Sequence, residues 1–293
     1  MNSDLRAFWE RTREDLQRVD MAPVLAAAPE QSGREYTTQS VVLTGYGGQR
    51  LRGWYSVPND RPLRGRLPAV LAVPGYSGVK AIPTQVVESG CAVLTLFPRA
   101  QGESKREWDL PHGTKLTYYL TDRERFYYRA GYMDCLRGVD FLASRPEVDP
   151  ERIGMWSRSQ GGGLTLATAA LDARLAAAVA EEPFLCNYSA AVEVTTKPYV
   201  ELRDYLLAHP DEREQALATL ATFDPLNLVD AITCPTLANA GMRDETCPYH
   251  TIAPVVERIR TLKAFMVYPD LSHATSTDFN RHALAWLARY LAC

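Results

Sequence analysis

Ser159 has the strongest claim to chemistry in this sequence. It lies in Arg152-Ile153-Gly154-Met155-Trp156-Ser157-Arg158-Ser159-Gln160-Gly161-Gly162-Gly163, where an apolar strand pattern runs through a turn into a glycine-initiated helix. The spacing is that of Gly-x-Ser-x-Gly with Ser157 at the first glycine. Such an elbow lifts a serine hydroxyl above a sheet, and the residues two before and two after it must be small because strand and helix nearly touch. Serine at position 157 is small enough. A motif centred on Ser157 would be flanked by Met155 and Ser159, with glycine at neither, so Ser159 is the better centre. The helix opening at Gln160 turns free N–H groups and its positive dipole end toward the hydroxyl, which favours developing negative charge. Alone, the same residues also fit a glycine-rich helix start with no chemistry, so the partners must decide.

A serine nucleophile needs two N–H donors for the oxygen of its tetrahedral intermediate. The backbone of Gln160 supplies one, and the loop Pro74-Gly75-Tyr76-Ser77-Gly78 the other, assigned to Tyr76 because Gly75 permits close backbone approach. The acid and the base are expected downstream, in the order nucleophile, acid, histidine. Asp244 follows a strand expected over 236–240 and His273 follows one over 265–268, so each opens from a strand's carboxyl end. His273 would take the Ser159 proton, and Asp244 would fix the imidazole tautomer and stabilise its cation. Asp270 and Glu245 remain alternatives for the acid. His282 falls inside the last helix, His250 follows Asp244 too closely, and His112 and His209 fall in surface segments. The Tyr76 ring, Trp108 and Phe184 are expected around a narrow acyl pocket, against which core packing is the competing account of Trp108 and Phe184.

These residues need a scaffold. A helix over 5–19 precedes a hairpin whose arms carry Val41-Val42-Leu43 and Trp54-Tyr55 with Val57, turned at Gly47-Gly48. From Leu67 onward, short apolar strands over 69–73, 92–96, 153–156, 175–180, 236–240 and 265–268 alternate with helices over 82–89, 127–144, 162–171, 252–262 and 278–291. That alternation is the pattern of a parallel sheet with crossover helices. The expected fold is α/β, of the α/β-hydrolase type: a mostly parallel, doubly wound sheet with antiparallel N-terminal strands. Residues 186–229, rich in Tyr, Leu, Glu and Arg with Pro198 and Pro210 as breakers, read as a helical insertion over the active face.

With 293 residues and 46% hydrophobic content the chain can bury a large core, read here as one domain over 1–293 with a helical extension over 1–34 that docks or contacts other copies. A balance of 32 basic against 35 acidic residues leaves no basic field for nucleic acid. The charged N-terminus lacks the apolar core of a secretory signal, and no segment reaches the roughly 20 apolar residues of a membrane span, so a soluble cytoplasmic protein is expected. Six scattered cysteines without a Cys-x-x-Cys pair read as reduced structural thiols in preference to disulfides or zinc ligands.

Several separate stretches resemble carbohydrate esterase family seven, the acetyl xylan esterases and cephalosporin C deacetylases, over about residues 35–290. Ser159-Gln160-Gly161-Gly162 is similar to the family's elbow and Arg99-Ala100-Gln101-Gly102 to its Arg-Gly-Gln-Gly box. Tyr127-Tyr128-Arg129, Pro183-Phe184-Leu185-Cys186, Phe223-Asp224-x-x-Asn227 and Asp244-x-x-Cys247-Pro248 also look like family segments. The resemblance implies deacetylation of short acetylated sugars and small esters, no metal and no cofactor, an intracellular place and a homo-oligomer, a ring-shaped hexamer. It carries over Ser159, Asp244 and His273 as the triad, Gln160 and Tyr76 as oxyanion donors, Arg99 as a structural residue and Gln101 as a brace of the elbow. Ser157, Ala100, Pro74 and Ala274 stand where the family has Gly, Gly, His and Glu, which marks a diverged branch. Two rival readings stand beside it: a serine hydrolase for other esters, amides or peptides, and a noncatalytic ring scaffold. A scaffold has no physical need for a strained serine.

Overall fold

The computed structural model describes residues 1–60, 65–111 and 113–292, so His112 and Cys293 lie outside the described residues. The strands are β1 (Val24–Ala27), β2 (Tyr36–Thr44), β3 (Arg50–Pro58), β4 (Leu67–Ala72), β5 (Ala92–Phe97), β6 (Val148–Arg158), β7 (Leu175–Glu181), β8 (Thr236–Gly241) and β9 (Lys263–Tyr268). They form one sheet in the order β1-β2-β3-β5-β4-β6-β7-β8-β9. The pairs β1–β2, β2–β3 and β3–β5 are antiparallel and the remaining pairs parallel. β4 and β5 are buried at every position, as strands covered on both faces must be. β1 is a strand that the sequence pattern does not announce, because its four residues are mostly exposed and carry no alternation.

The helices are α1 (Ser3–Gln17), α2 (Thr84–Glu88), α3 (Tyr127–Ser144), α4 (Gln160–Leu171), α5 (Tyr188–Ala191), α6 (Val200–Ala208), α7 (Arg213–Phe223), α8 (Pro225–Leu228), α9 (Tyr249–Glu257) and α10 (Thr277–Leu291). Side chains of α3, α4 and α9 build the larger core on one face of the sheet, whereas α2 and α10 close the other face over Val70, Val93, Trp156 and Val179. α5 to α8 fill the segment between β7 and β8. Among the described residues no helix is long and apolar enough to cross a membrane.

The N-terminal helix, expected to dock or to contact other copies, docks on its own chain. Leu5, Phe8, Trp9 and Leu16 of α1 are buried within the chain. Trp9 stacks on Tyr132 of α3 at 5.5 Å and meets Phe223 of α7 at 5.3 Å. Arg137 Nη2 donates to the carbonyls of Leu16 and Val19 at 2.8 and 2.9 Å, closing the C-terminal end of α1. The apolar stripe is therefore consumed by the helix's own fold.

The crossovers reverse direction about β4, which lies between β5 and β6. In open parallel sheets such a switch point leaves a crevice beyond the strand ends, where ligands bind. The elbow after β6 and the Gly75 loop after β4 both open onto it.

Candidate active site

Between β6, which ends at Arg158, and α4, which begins at Gln160, Ser159 stands alone with φ 58° and ψ −123°. A non-glycine residue held there stores on the order of 1–3 kcal/mol of strain. Backbone hydrogen bonds hold it: Ser159 N–H to Glu181 O at 2.9 Å, Phe184 N–H to Ser159 O at 2.9 Å and Gly163 N–H to Ser159 O at 3.1 Å. The glycines that follow are steric necessities. A Cβ on Gly161 would stand 2.6 Å from the Ser157 Cβ and 2.8 Å from Val73 O, and one on Gly163 would stand 1.9 Å from Phe184 O. Ser157 makes use of its hydroxyl, since Oγ accepts the Val73 N–H at 2.9 Å. The residue that departs from the glycine pattern thus ties the end of β4 to the elbow.

The acid and the base reach the serine from two loops fastened to each other. Met242 N–H donates to Tyr268 O at 2.9 Å and Arg243 N–H to Leu271 O at 3.0 Å. A Cβ on Gly241 would lie 2.2 Å from Leu271 O, so glycine lets the loops touch. His273 Nε2 is then 3.1 Å from Ser159 Oγ, and Nδ1 is 2.7 Å from Asp244 Oδ2. The other carboxylate oxygen of Asp244 accepts the N–H groups of Thr246 and Cys247, each at 2.8 Å, which fixes its plane. With the Nδ1 proton donated to Asp244, Nε2 faces the serine hydroxyl as an acceptor.

The rival groups lie elsewhere. Exposed Asp270 pairs with Arg243 at 2.6 Å. The Glu245 carbonyl accepts from Thr196 Oγ1. His209 stacks on Tyr205, His250 lies in α9 and His282 in α10, 3.9 Å from Asp278.

The Gly75 loop passes over the hydroxyl, for a Cβ on Gly75 would contact the Ser159 Cβ at 3.7 Å. Gln160 occupies the first position of α4, where an N–H has no acceptor inside the helix. Its side chain spans the site, accepting from Tyr128 OH at 2.9 Å and donating to Gly75 O at 3.5 Å. Tyr128 therefore does the bracing expected of Gln101. Gln101 instead donates to Tyr127 OH at 3.1 Å and lies against Gly78, on the oxyanion loop. Arg99 forks onto Asp134 at 2.8 and 2.7 Å and donates to Tyr46 O at 2.8 Å, joining the loop after β5 to α3. Ala100 has φ 54°, a left-handed conformation that glycine adopts without strain.

A cavity of about 730 Å³ opens at Ser159 and His273, bordered by Tyr76, Lys80 and Arg158 and on the far side by Pro198 and Glu201. The Tyr76 hydroxyl donates to Glu201 of α6, while Lys115 Nζ donates to Tyr76 O at 3.1 Å and stands 4.7 Å from the ring. Burial lowers the Lys115 ammonium to about 8. Two expected wall residues are corrected. Phe184 is fully buried behind Tyr76, its ring 5.8 Å from Tyr76 and 4.2 Å from Tyr199. Trp108 packs against Tyr118 at 5.8 Å and does not border the cavity.

Sequence reasoning missed Glu182. Its carboxylate is fully buried, 2.7 Å from Arg158 Nε and 3.5 Å from His273 Nδ1. Burial pushes it up to about 7 against the pull of Arg158. The available signal was an acidic pair, Glu181-Glu182, ending an otherwise apolar strand. Asp244, Cys247 and His273 each bring a potential ligand atom within 4.8 Å of the others. Both imidazole nitrogens of this group are engaged, Nδ1 with Asp244 and Nε2 with Ser159, and burial raises the Cys247 thiol well above its usual range. The arrangement suits proton transfer from a hydroxyl.

The sequence profile described as acetyl xylan esterase (AXE1) matches residues 1–290. The acetyl esterase Axe7A of Xylanibacter ruminicola is 28% identical over 302 aligned positions, which cover 98% of this chain and 66% of that protein. The chain thus spans about two thirds of that relative's length. Two solved structures are similar throughout. A Paenibacillus acetyl xylan esterase superposes with a TM-score of 0.92 at 30% identity, covering 99% of this chain and 95% of that one. Acetyl xylan esterase 1 from Thermoanaerobacterium has a TM-score of 0.87 at 26% identity, covering 98% and 94%.

Proposed function

The chain belongs to the acetyl xylan esterase family, and from that premise we propose that it is a serine carboxylesterase removing acetyl or other short acyl groups from acetylated sugars, xylo-oligosaccharides among them. Ser159 is the nucleophile, His273 the base and Asp244 the acid. The observation that carries the reading is the unbroken chain from Ser159 Oγ to His273 Nε2 at 3.1 Å and from Nδ1 to Asp244 at 2.7 Å.

His273 removes the Ser159 proton as Oγ attacks the acyl carbon, and Asp244 stabilises the imidazolium that forms. The carbonyl oxygen, now carrying negative charge, lies against the N–H groups of Gln160 and Tyr76. The imidazolium then protonates the departing sugar alcohol and leaves the acyl group on Ser159. Water, activated by the same histidine, releases the acid and restores the hydroxyl. A cavity of about 730 Å³ is within the range that holds one small ligand, which supports a short oligosaccharide as the alcohol. We extend the reading to the acetyl ester of cephalosporin C, on the family resemblance. The cytoplasm is proposed as its compartment, supported by the buried thiols Cys135, Cys186, Cys234 and Cys247.

The test is a series of nitrophenyl esters of rising acyl length, run beside acetylated xylo-oligosaccharides. The expected kcat/KM is highest for acetate and falls at least about tenfold by hexanoate. A preference for long acyl chains or for amides overturns the deacetylase reading. Ser159→Ala is expected to lower kcat by about 10⁵- to 10⁶-fold.

A further inference from the structure

Two carboxylates face the same nitrogen of the base. Asp244 Oδ2 lies 2.7 Å from His273 Nδ1, and Glu182 Oε2 lies 3.5 Å from it. We propose that Glu182 is a second acid of the relay, a positioning residue that acts through His273 and takes over the Nδ1 proton contact when Asp244 is absent. The proposal rests on the triad reading given above.

The placement of Glu182 is costly in several independent ways. Its side chain is fully buried, and an ionised carboxylate out of water is unfavourable unless paired. Its backbone has φ 43°, a left-handed conformation uncommon for a residue with a side chain. Its Oε1 has no hydrogen-bond partner among the described residues. A structural ion pair could be replaced by apolar residues of similar volume at little or no loss. Here instead the carboxylate is aimed. Asn239 Oδ1 of β8 accepts the Glu182 N–H at 2.8 Å, and Arg158 Nε, from the residue before the nucleophile, donates to Oε2 at 2.7 Å. Because β7 lies between β6 and β8, its end points between the nucleophile and the acid.

The imidazole N–H has one proton to give, and in the intact site Asp244 receives it. Glu182 then acts by charge, favouring the imidazolium over the neutral ring. The groups that face it are Arg158 from β6, Asp244 and Cys247 from the loop after β8, and His273 from the loop before α10. Beyond them, Glu181 lies 3.8 Å from Arg158 Nε, and Lys80 acts on both of those residues. Burial raises Glu182 to about 7, and only its ionised form assists the base. If the Asp244 carboxylate is removed, a shift of about 1 Å brings Oε2 to hydrogen-bond distance of Nδ1.

The experiment measures kcat/KM for acetyl ester hydrolysis in Asp244→Ala, Glu182→Gln and the double variant, with Asp244→Asn as a contrast. Asp244→Ala is expected to lose about 10²-fold, less than the roughly 10⁴-fold that follows loss of the acid in an unassisted triad. Adding Glu182→Gln to that background should cost about a further 10²-fold, against a threefold to tenfold loss in the wild type. Asp244→Asn should be worse than Asp244→Ala, because its amide can donate to Nδ1 and hold the wrong tautomer. The acid limb of the kcat/KM profile should titrate as two groups in the wild type and one in Glu182→Gln. Equal fold-losses from Glu182→Gln in both backgrounds, with an unchanged pH profile, overturn the proposal. Asp244→Ser, whose hydroxyl can still accept from Thr246 and Cys247, replaces the alanine variant if that one fails to fold. Organophosphonate labelling of the wild type separates the two readings: no adduct on Ser159 sinks the triad, whereas an adduct with additive losses sinks only the role of Glu182.

Discussion

The nucleophile and the base leave the same sheet from very different places. Ser159 leaves β6, buried from Ile153 to Ser157 and covered by helices on both faces, whereas His273 leaves β9, an edge strand with Lys263 and Val267 exposed. Each site depends on a glycine that lets backbone touch backbone, and the closeness is similar: a Cβ would meet Phe184 O at 1.9 Å from Gly163 and Leu271 O at 2.2 Å from Gly241. What differs is the freedom to yield. Phe184 is wedged between Tyr76 and Tyr199, while Leu271 sits in a loop whose neighbours Asp270 and Ser272 are exposed. The same steric demand is met by rigid packing at the centre and by an adjustable loop at the edge. The serine is thereby strained in place, and the imidazole retains some room to move.

The largest effect expected of this contrast comes from an added methyl group at each glycine. Gly163→Ala should cost more than about 4 kcal/mol and leave little folded protein, since Phe184 cannot retreat. Gly241→Ala should cost about 1–2 kcal/mol in thermal unfolding, because the Leu271 loop gives way, yet lower kcat by about 10²-fold through misplacing His273. The opposite ranking would break the comparison. Ser157→Ala strands the buried Val73 N–H and should cost about 1–3 kcal/mol, less than Gly163→Ala, read from denaturant unfolding.

The smallest expected effect concerns Glu182, at the boundary between the two regions. Its folded pKa, about 7, lies above its ordinary 4.5, so its contribution to stability is fully present below about 4.5 and lost as pH rises through about 7. Glu182→Gln should lack that slope, matching the wild type near pH 4 and exceeding it at pH 8 by on the order of 1–2 kcal/mol. Asp224 and Glu181 are raised by burial as well, but they are common to both proteins and cancel in the difference. Melting temperatures that stay parallel across that range would remove Glu182 from the boundary.

Ser159, Asp244 and His273 are legible in the sequence because each follows a short apolar run, with glycines marking where backbones must pass closely. The parallel strands β4 to β8 are legible for the same reason, being largely buried on both faces. What escapes is non-local. Whether Phe184 lines a cavity or fills a core depends on where Tyr76 and Tyr199 arrive from, which its place in the sequence does not tell. The brace at Gln160 depends on Tyr128 reaching it from α3, and no spacing encodes that pairing. Glu182 looks like a solvated strand end until β7 is seen to lie beside β6 with Arg158 next to it. That α1 must be covered is legible from its amphipathic stripe, but the stripe does not say by what, and Tyr132 and Phe223 arrive from distant parts of the chain.

Tyr76 is joined to two structures at once. In the proposed reaction its backbone N–H receives the charged oxygen, while its hydroxyl is tied to Glu201 on α6 and its carbonyl to Lys115. A displacement of α6 would therefore be passed to the loop that carries that N–H. The tether makes the cavity wall at Glu201 and the loop of the proposed oxyanion donor one mechanical unit.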